Sequence, residues 1–416
     1  MIPTSELARS VEQALEYVKS AGQVTEAEVF ASSNGGLIAR LNYTSHIPCN
    51  GVEEPKSTQS YGLGIQAAFK TDTGITIGFG SEPSDLSLDG VKRALEKARR
   101  GAVADPEFSS LPSATGERRR LRRYHDPRLM KIRDEDLVEA GWRLLRGGLR
   151  TFNDSPGLRE LVGGQERIKE LGLILGGDVT MLQERVAIAS TAMPEVQTDE
   201  STLIMSFVTA MVEAKASKGT GSSAGTHLES FTDQAGVEAA QNAIAAIGGE
   251  RIKSGDYTVI FGRQPVADLL NNLILPSLSL GAFYSDSSTF MGKLGKRVAS
   301  KLFTLYDHGA QRGMMGSKGI TCEGLPTGKT RLIQRGKLVG LLSNHYERQR
   351  ILKDPKAAEK LGADPNRKLK AIVARNGFRF GAGGGRQFSA QPGIAATNAI
   401  IEGGDRGLEE LIADVK

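Results

Sequence analysis

Apolar side chains recur every three or four positions in the first twenty residues, which is the spacing of one helical face. The pattern predicts a helix over residues 4–21, with Thr4 as its N-cap and Gly22 just past its end. Its buried face is expected to hold four apolar residues, Leu7, Val11, Leu15 and Val18.

From residue 26 onward, extended segments interrupted by glycine replace the helical pattern. One hairpin is predicted over residues 26–44 with its turn at Asn34-Gly35-Gly36, because Asn-Gly favours two-residue hairpin turns. A second hairpin over residues 62–80 and a helix over about 84–100 follow. Helix, strands and helix in this order predict an α+β domain.

After residue 100 the chain becomes polar and proline-containing before regular patterns resume. The basic run at 117–125 is interpreted as a solvated linker segment, because a phosphate-binding patch would need more aromatic residues and a longer stripe of charge. The elements predicted next are a helix over 134–152, strands over 171–176, 184–192 and 201–216, a loop over 218–226 and a helix over 234–247.

The final 160 residues are rich in short strand patterns separated by glycine. They begin with an apolar run at 256–262, interpreted as a buried strand, and a helix over 264–279 that ends near Pro276. The fold class is therefore predicted to be α+β with a β-rich, barrel-like C-terminal part. Four parts are predicted: an N-terminal α+β domain (1–100), a linker (101–131), a middle α+β region (132–250) and a C-terminal domain (251–416).

Composition narrows the class of protein. Hydrophobic residues make up 39% and charged residues 24% of the 416 residues, which excludes a disordered chain. No apolar run is long enough to span a membrane, and the first residues lack the apolar core of a signal peptide, so a cytoplasmic location is expected. The net charge of +5 gives no reason to expect nucleic-acid binding.

The residues alone reveal no active site. Two cysteines, Cys49 and Cys322, cannot form a disulfide framework or a four-thiolate metal site. A G-x-S-x-G match places Ser223 at a possible nucleophile elbow, but the polar segment after it does not favour the helix that an elbow needs. The histidines lie far apart in the sequence and none forms an HExxH pair: His46, His125, His227, His308 and His345.

Residues 255–350 resemble the C-terminal domain of the TldD/PmbA family. The resemblance is carried by SGDYTVIFGRQPVADLLNN, by STFMGKLGKRV with its S-x-F-x-x-K-x-G-K-x-V spacing, and by GITCEGLPT before a hairpin. The N-terminal helix and paired hairpins also fit the first domain of the family. Its TldD-like members carry a zinc motif, HExxxH, and a later cysteine in a glycine-rich turn, whereas TldE/PmbA-like members keep the fold and lack these ligands.

This sequence departs from the zinc-binding pattern at each of these places. Asn271, Asn272 and Pro276 stand where the motif has its two histidines and its glutamate. Asparagine is a poor zinc ligand and cannot act as a general base. The glycine-rich turn contains no thiol and reads Gly381, Ala382, Gly383, Gly384 and Gly385. No catalytic and no metal-binding residue is therefore expected in this chain.

The resemblance implies a TldE/PmbA-like, non-catalytic subunit that pairs with a TldD-like zinc metallopeptidase to process or degrade short or unfolded peptides. Zinc is then expected in the partner and no cofactor in this chain. The glycines at 381–385 are candidates for binding a peptide main chain at close approach. Two alternatives stay open: a regulatory homodimer of the modulator-of-DNA-gyrase type, and a stand-alone hydrolase with ligands among Asp307, His308, Glu323 and His345.

Overall fold

A computed structural model describes residues 1–47, 50–72, 74–113, 121, 123–381 and 385–415. The helices are α1 Thr4–Ser20, α2 Leu88–Arg100, α3 Asp134–Asp154, α4 Pro156–Val162, α5 Gln234–Ala245, α6 Arg263–Leu269, α7 Leu275–Ser277, α8 Leu280–Tyr284, α9 His345–Lys353, α10 Ala357–Leu361 and α11 Leu408–Asp414. A π-helical turn, Leu270–Ile274, joins α6 to α7.

The strands are β1 Val24–Thr44, β2 Gly51–Val52, β3 Lys56–Thr71, β4 Gly74–Pro83, β5 Val103–Ala104, β6 Leu173–Ser190, β7 Gln197–Val212, β8 Ser217–Gly225, β9 Leu305–His308, β10 Lys329–Gln334, β11 Lys337–Leu338, β12 Gly377–Phe378, β13 Gly393–Ile394 and β14 Ala399–Ile401. Among the described residues no helix is long and apolar enough to cross a membrane.

One antiparallel sheet organises the first 225 residues, in the order β5-β4-β3-β1-β6-β7-β8, with β2 pairing to β1. β1 lies at its centre and pairs with β3 on one side and β6 on the other. The segments predicted as an N-terminal domain and a middle region therefore contribute strands to the same sheet. The division into domains itself stays a prediction.

Successive side chains of a strand point to opposite faces of the sheet, and the two faces are covered by different elements. Ala27, Val29 and Ala31 of β1 pack with α1 and α2, and Ala39 and Leu41 pack with α3 and α5. The opposite face carries an apolar cluster shared with the C-terminal region, which contains Phe30, Val186, Ile188, Ile320, Cys322, Phe378 and Phe388. The C-terminal region is thus attached to the face of the sheet opposite α1, α2, α3 and α5.

The C-terminal region combines short helices with two small sheets. Its described strands form a four-stranded sheet, β11-β10-β9-β14, and the pair β12-β13. The α+β fold class is confirmed. Both small sheets are open, so the expected barrel-like shape is too loose a description of them.

Several local predictions are corrected by the sheet. Asn34-Gly35-Gly36 is not a turn but the middle of β1, where Asn34 pairs with both Ser60 and Glu184. Pairing on two sides outweighs the local turn preference of Asn-Gly. The predicted strands at 171–176 and 184–192 are the two ends of β6.

The predicted loop at 218–226 is the edge strand β8, which pairs with β7. Its glycines allow α5 to approach, since a Cβ on Gly221 would lie 2.2 Å from the Ala235 carbonyl oxygen. Pro3, not Thr4, is the N-cap of α1. The apolar run at 256–262 belongs to no described strand and is exposed.

Candidate functional site

A cavity of about 430 Å³ lies between the C-terminal region and the face of the large sheet that carries Glu28 and Gln66. Glu28 of β1 and Gln66 of β3 form part of its wall and are register partners. The segment 105–112, the start of α9 and residues 391–394 form other parts. Four stretches that are distant in sequence therefore meet around one cavity.

Glu28 is buried in this wall and forms an ion pair with the equally buried Arg379. Arg379 also donates from Nη1 to the Ala390 carbonyl oxygen at 2.8 Å, and its guanidinium lies 4.8 Å from the centre of the Phe30 ring. Burial raises the pKa of Glu28, and the positive charge of Arg379 offsets that effect only in part. The pair joins β1 to the C-terminal region.

Glu323 is the second buried carboxyl group of the wall, with 4% of its surface exposed. Both carboxylate oxygens accept the main-chain N–H of His345, at 3.0 and 3.2 Å. Burial raises the pKa of Glu323 to about 8, and the nearby charge of Glu28 adds to the effect. In the part of the chain that the structure describes, no Lys, Arg or His side chain forms an ion pair with Glu323.

His345 begins α9 and holds the segment 105–112 against the cavity. Its Nε2 lies 3.1 Å from the Ser110 carbonyl oxygen, to which it donates in the tautomer that carries the proton on Nε2. Burial lowers the pKa of His345, so the ring is neutral at pH 7. The adjacent Tyr346 donates its hydroxyl to Asp105 at 2.9 Å.

Asn271 and Asn272 lie exposed on the π turn between α6 and α7. A π turn bonds residue i to residue i+5, as the Leu275 N–H does with the Leu270 carbonyl oxygen, and so brings positions five apart to one face. Asn271 and Pro276 have this spacing. The turn is therefore present without side chains that fit zinc: Asn272 donates its amide to the Asp268 carbonyl oxygen at 2.9 Å, and proline offers no ligand.

The predicted glycine-rich peptide site falls partly outside the described residues, which do not include Ala382, Gly383 and Gly384. Gly381 donates its N–H to the Gly385 carbonyl oxygen at 3.3 Å. Gly385 borders a second cavity of about 300 Å³ beside β1 and β3. Peptide binding at this loop stays a prediction.

The alternative ligand set divides into two groups. Glu323 and His345 both border the 430 Å³ cavity, whereas Asp307 and His308 do not. The Asp307 carboxylate accepts Asn376 Nδ2 at 2.7 Å and Thr397 N–H at 2.7 Å. Among the described residues no group of three or more His, Cys, Asp or Glu side chains could hold a metal ion.

The two remaining candidate nucleophiles, Ser223 and Cys322, lie in surroundings that do not favour nucleophilic catalysis. Ser223 lies within β8 rather than at an elbow, and its Oγ is 3.0 Å from Ser206 Oγ of β7. Cys322 is buried, and burial raises its pKa to about 12. Cys49 lies outside the described residues.

Sequence reasoning missed Glu28 and Arg379. They are 351 positions apart, and each lies in a segment whose pattern indicates only a strand. A charged residue within an otherwise apolar strand was the one available signal, as Glu28 interrupts the run of small and apolar residues after Glu26.

Residues 254–416 match the profile of the PmbA/TldA metallopeptidase C-terminal domain. A metalloprotease of Methanothermobacter thermautotrophicus is 21% identical over 184 residues, which cover 44% of this chain and 35% of that protein. A metalloprotease TldD homolog of Buchnera aphidicola is 33% identical over 101 residues, covering 24% of this chain and 21% of that protein. The chain thus matches only about a third of the length of the first relative and a fifth of the length of the second.

Solved structures match over nearly the whole chain. TldE from Thermococcus kodakarensis superposes with a TM-score of 0.72 at 18% identity, covering 98% of this chain and 80% of that one. A putative modulator of DNA gyrase from Thermotoga maritima gives 0.70 at 17% identity, covering 97% and 79%. At these identities the superpositions establish the fold. Together with the profile match, they show that the chain has the fold of TldE and that residues 254–416 form a C-terminal domain of the PmbA/TldA type.

Proposed function

We propose that this chain is a non-catalytic subunit that pairs with a TldD-like zinc metallopeptidase in the cytoplasm and takes part in processing short or unfolded peptides. In this arrangement the partner holds the zinc and cleaves the peptide. This chain walls the substrate space and presents main-chain groups to the peptide. The replacement of all three zinc-motif positions by Asn271, Asn272 and Pro276 supports the assignment.

The observation that carries the proposal is an exposed apolar strip on both sides of Asn271 and Asn272. We define the 257–273 strip as Tyr257, Val259, Phe261, Leu269 and Leu273, whose exposed fractions range from 40% to 59%. Large side chains clustered in this way on a surface are typical of protein interfaces. A subunit that covers this strip would also lie next to the zinc-motif positions.

Residues 256–262 add main-chain groups to the same surface. Within the described ranges they belong to no helix and to no strand pairing. Such a segment can become a strand by pairing with the sheet edge of another chain, and its alternate side chains then fit pockets of the partner. Tyr257, Val259 and Phe261 alternate in this manner.

Co-expression with a TldD-like protein that carries HExxxH tests the proposal. We expect a stable complex on size-exclusion chromatography, zinc that elutes with the partner, and cleavage of an unstructured peptide only when the partner is present. Phe261→Asp and Leu273→Asp should abolish the complex. Val103→Asp, at a position that is 66% exposed on the edge strand β5, is the matched control and should leave it intact.

Two outcomes would overturn the proposal. One is cleavage of the peptide by this chain alone at the rate of the mixture. The other is a stable homodimer that does not exchange with the TldD-like protein, which would favour the regulatory alternative.

A further inference from the structure

Acidic side chains outnumber basic ones among the residues that border the 430 Å³ cavity. The described residues that border it include four carboxyl side chains, Glu28, Asp105, Glu323 and Glu347, and no lysine or arginine. His345 is the one base among these lining residues, and it is neutral because burial lowers its pKa. The cavity is therefore lined by acidic groups, with no positively charged side chain among the described residues that border it.

Arginines behind the wall compensate two of these carboxylates. Arg379 pairs with Glu28, and Arg350 lies 3.0 Å from Glu347 Oε1. Arg350 is also shared with Glu107, to which its Nε lies at 2.7 Å. Glu347 Oε2 is buried without a hydrogen-bond partner.

Glu323 is the carboxyl group that the protein leaves without a counter-ion. It is nearly inaccessible from outside, and its hydrogen bonds within the described chain come from one main-chain N–H, that of His345. A buried carboxylate is costly unless a positive group pairs with it. Within the described chain no positive group contacts Glu323, and only the charge of Arg379 acts on it from a greater distance. When Glu323 ionises, a cationic ligand in the cavity can therefore take the position of a counter-ion.

Four apolar side chains form another part of the wall, beside polar groups such as Gln66 and Asn344. Phe108 and Leu111 lie on the segment 105–112, and Ile77 and Ile394 approach from β4 and β13. A cavity of this size that combines apolar walls with a few polar groups is typical of sites for small organic molecules. A metal ion fits this cavity poorly, because the described residues contain no group of three or more His, Cys, Asp or Glu side chains that could hold one.

We propose that this cavity binds a small organic cation, a primary ammonium group attached to an apolar body, with the ammonium next to Glu323 and the apolar body against Phe108 and Leu111. The site is separate from the zinc-motif positions and from the 257–273 strip, none of which borders the cavity. Its existence therefore does not depend on the proposed partnership.

Ligand binding and proton release are coupled at this site. The carboxyl groups facing Glu323 are Glu28 of β1 and, across the cavity, Asp105 and Glu347, while Arg379 is the nearest cation. Because the pKa of Glu323 is raised to about 8, the carboxyl is mostly protonated at pH 6 and about half ionised at pH 8. An ammonium ion pairs with the ionised form, so affinity should rise with pH over this range.

Isothermal titration of the full chain with 2-phenylethylamine, which stays protonated from pH 6 to 8, tests the proposal. We expect saturable 1:1 binding that is roughly tenfold or more tighter at pH 8 than at pH 6. At pH 7, buffers of different ionisation enthalpy should reveal release of a proton. The neutral analogue 2-phenylethanol should bind at least tenfold more weakly at pH 8.

Glu323→Gln keeps the shape of the side chain and removes its charge. This variant should lose the pH dependence and bind 2-phenylethylamine about tenfold more weakly at pH 8. Glu250→Gln changes an exposed carboxyl outside the cavity and is the matched control, with binding expected to be unchanged. If Glu323→Gln does not fold, two measurements on the wild-type protein still test the proposal: the pH dependence of amine binding and the comparison of the amine with 2-phenylethanol. No saturable binding of the amine, equal affinity for amine and alcohol, or unchanged affinity of a folded Glu323→Gln would each overturn the proposal.

Discussion

Arg386 and Glu184 meet across the interface between the large sheet and the C-terminal region, and both are buried. Arg386 Nε donates to Glu184 Oε1 at 2.9 Å, and its Nη1 lies 2.9 Å from Asp199 Oδ2. Lys318 Nζ is 3.2 Å from the same Glu184 oxygen. Burial alone would raise the pKa of Glu184, but the positive charges of Arg386 and Lys318 hold it below its usual range.

Removal of this arginine should be strongly destabilising. Arg386→Met leaves Glu184 and Asp199 facing each other without their shared cation, although Lys318 still contacts Glu184. Breaking a buried ion pair from one side typically costs about 3–5 kcal/mol. Urea denaturation at pH 7 measures the loss.

An exposed ion pair is the control for this experiment. Arg167 and Glu170 lie 3.0 Å apart on the surface, and Arg167→Met should leave the free energy of unfolding nearly unchanged. Equal effects of the two substitutions would contradict a structural role for Arg386.

Glu323 should make the protein less stable as pH rises. Its pKa is raised to about 8 in the folded chain, whereas an unfolded glutamate titrates near the ordinary value of about 4.3. Between these two values the folded state holds one more proton than the unfolded state. The free energy of unfolding should therefore fall by about 1 kcal/mol per pH unit through this group.

Glu323→Gln removes this dependence because it cannot ionise. Relative to the wild type, the variant should gain stability steadily from pH 5 to pH 8, and the difference should level off above the folded pKa. Denaturant midpoints measured at each pH give this difference, with Glu250→Gln as the control for charge. A difference that does not vary with pH would show that Glu323 has an ordinary pKa.

Two glycines of the pair β12-β13 offer a matched steric test of the same carboxyl. A Cβ on Gly377 would lie 2.1 Å from Glu323 Oε2 and 2.5 Å from its Cδ, so alanine must displace the carboxyl from the His345 N–H. Gly393 would meet only the Phe378 carbonyl oxygen, at 4.0 Å. Gly377→Ala should cost about 1–3 kcal/mol and weaken binding of 2-phenylethylamine.

Gly393→Ala should be close to neutral for stability. Because Gly393 borders the cavity, it is a control for stability alone and not for binding. Thermal melting and calorimetry of the two variants check the pair. A similar loss of stability at both positions would indicate that the loss comes from the change in backbone freedom and not from contact with Glu323.

The sequence predicted helices better than it predicted sheet connections. The apolar face of α1 is a property of neighbouring residues, and Leu7, Val11, Leu15 and Val18 are all buried as expected. The predicted Asn34-Gly35 turn was wrong because β1 pairs with β3 and β6 along its length, and these pairs join residues as far apart as Glu28 and Ser190. Local preference carries no information about such partners.

The candidate cavity was only partly foreseeable for the same reason. Glu323 and His345 were considered as ligands because acidic and imidazole side chains are chemically versatile, but the pattern around them did not place them together. Their proximity depends on the main-chain N–H of His345 reaching the Glu323 carboxylate across 22 positions. Glu28 enters from β1, which the large sheet orients toward the C-terminal region.

Restoring the zinc motif should not produce a peptidase. Asn271→His and Pro276→His would place two imidazoles five positions apart beside a π turn, which favours a common face, and Asn272→Glu would supply a carboxylate. A catalytic zinc site needs three protein ligands and hydrogen-bond partners that orient the imidazoles. The described residues around this exposed turn supply no third ligand, since Cys322 is buried and its sulfur accepts the Arg379 N–H.

We expect the triple variant to bind zinc weakly, to lose it during desalting, and to leave an unstructured peptide uncleaved. Elemental analysis before and after desalting measures the metal, and mass spectrometry of the peptide measures cleavage. Asn271→His alone is the control for adventitious binding by one exposed imidazole. Removal of Pro276 also restores a main-chain N–H and permits the helix to extend, so circular dichroism should accompany the assay. Retention of about one zinc per chain together with peptide cleavage would mean that the orienting residues of an active enzyme are still in place, and the proposed non-catalytic role would then be wrong.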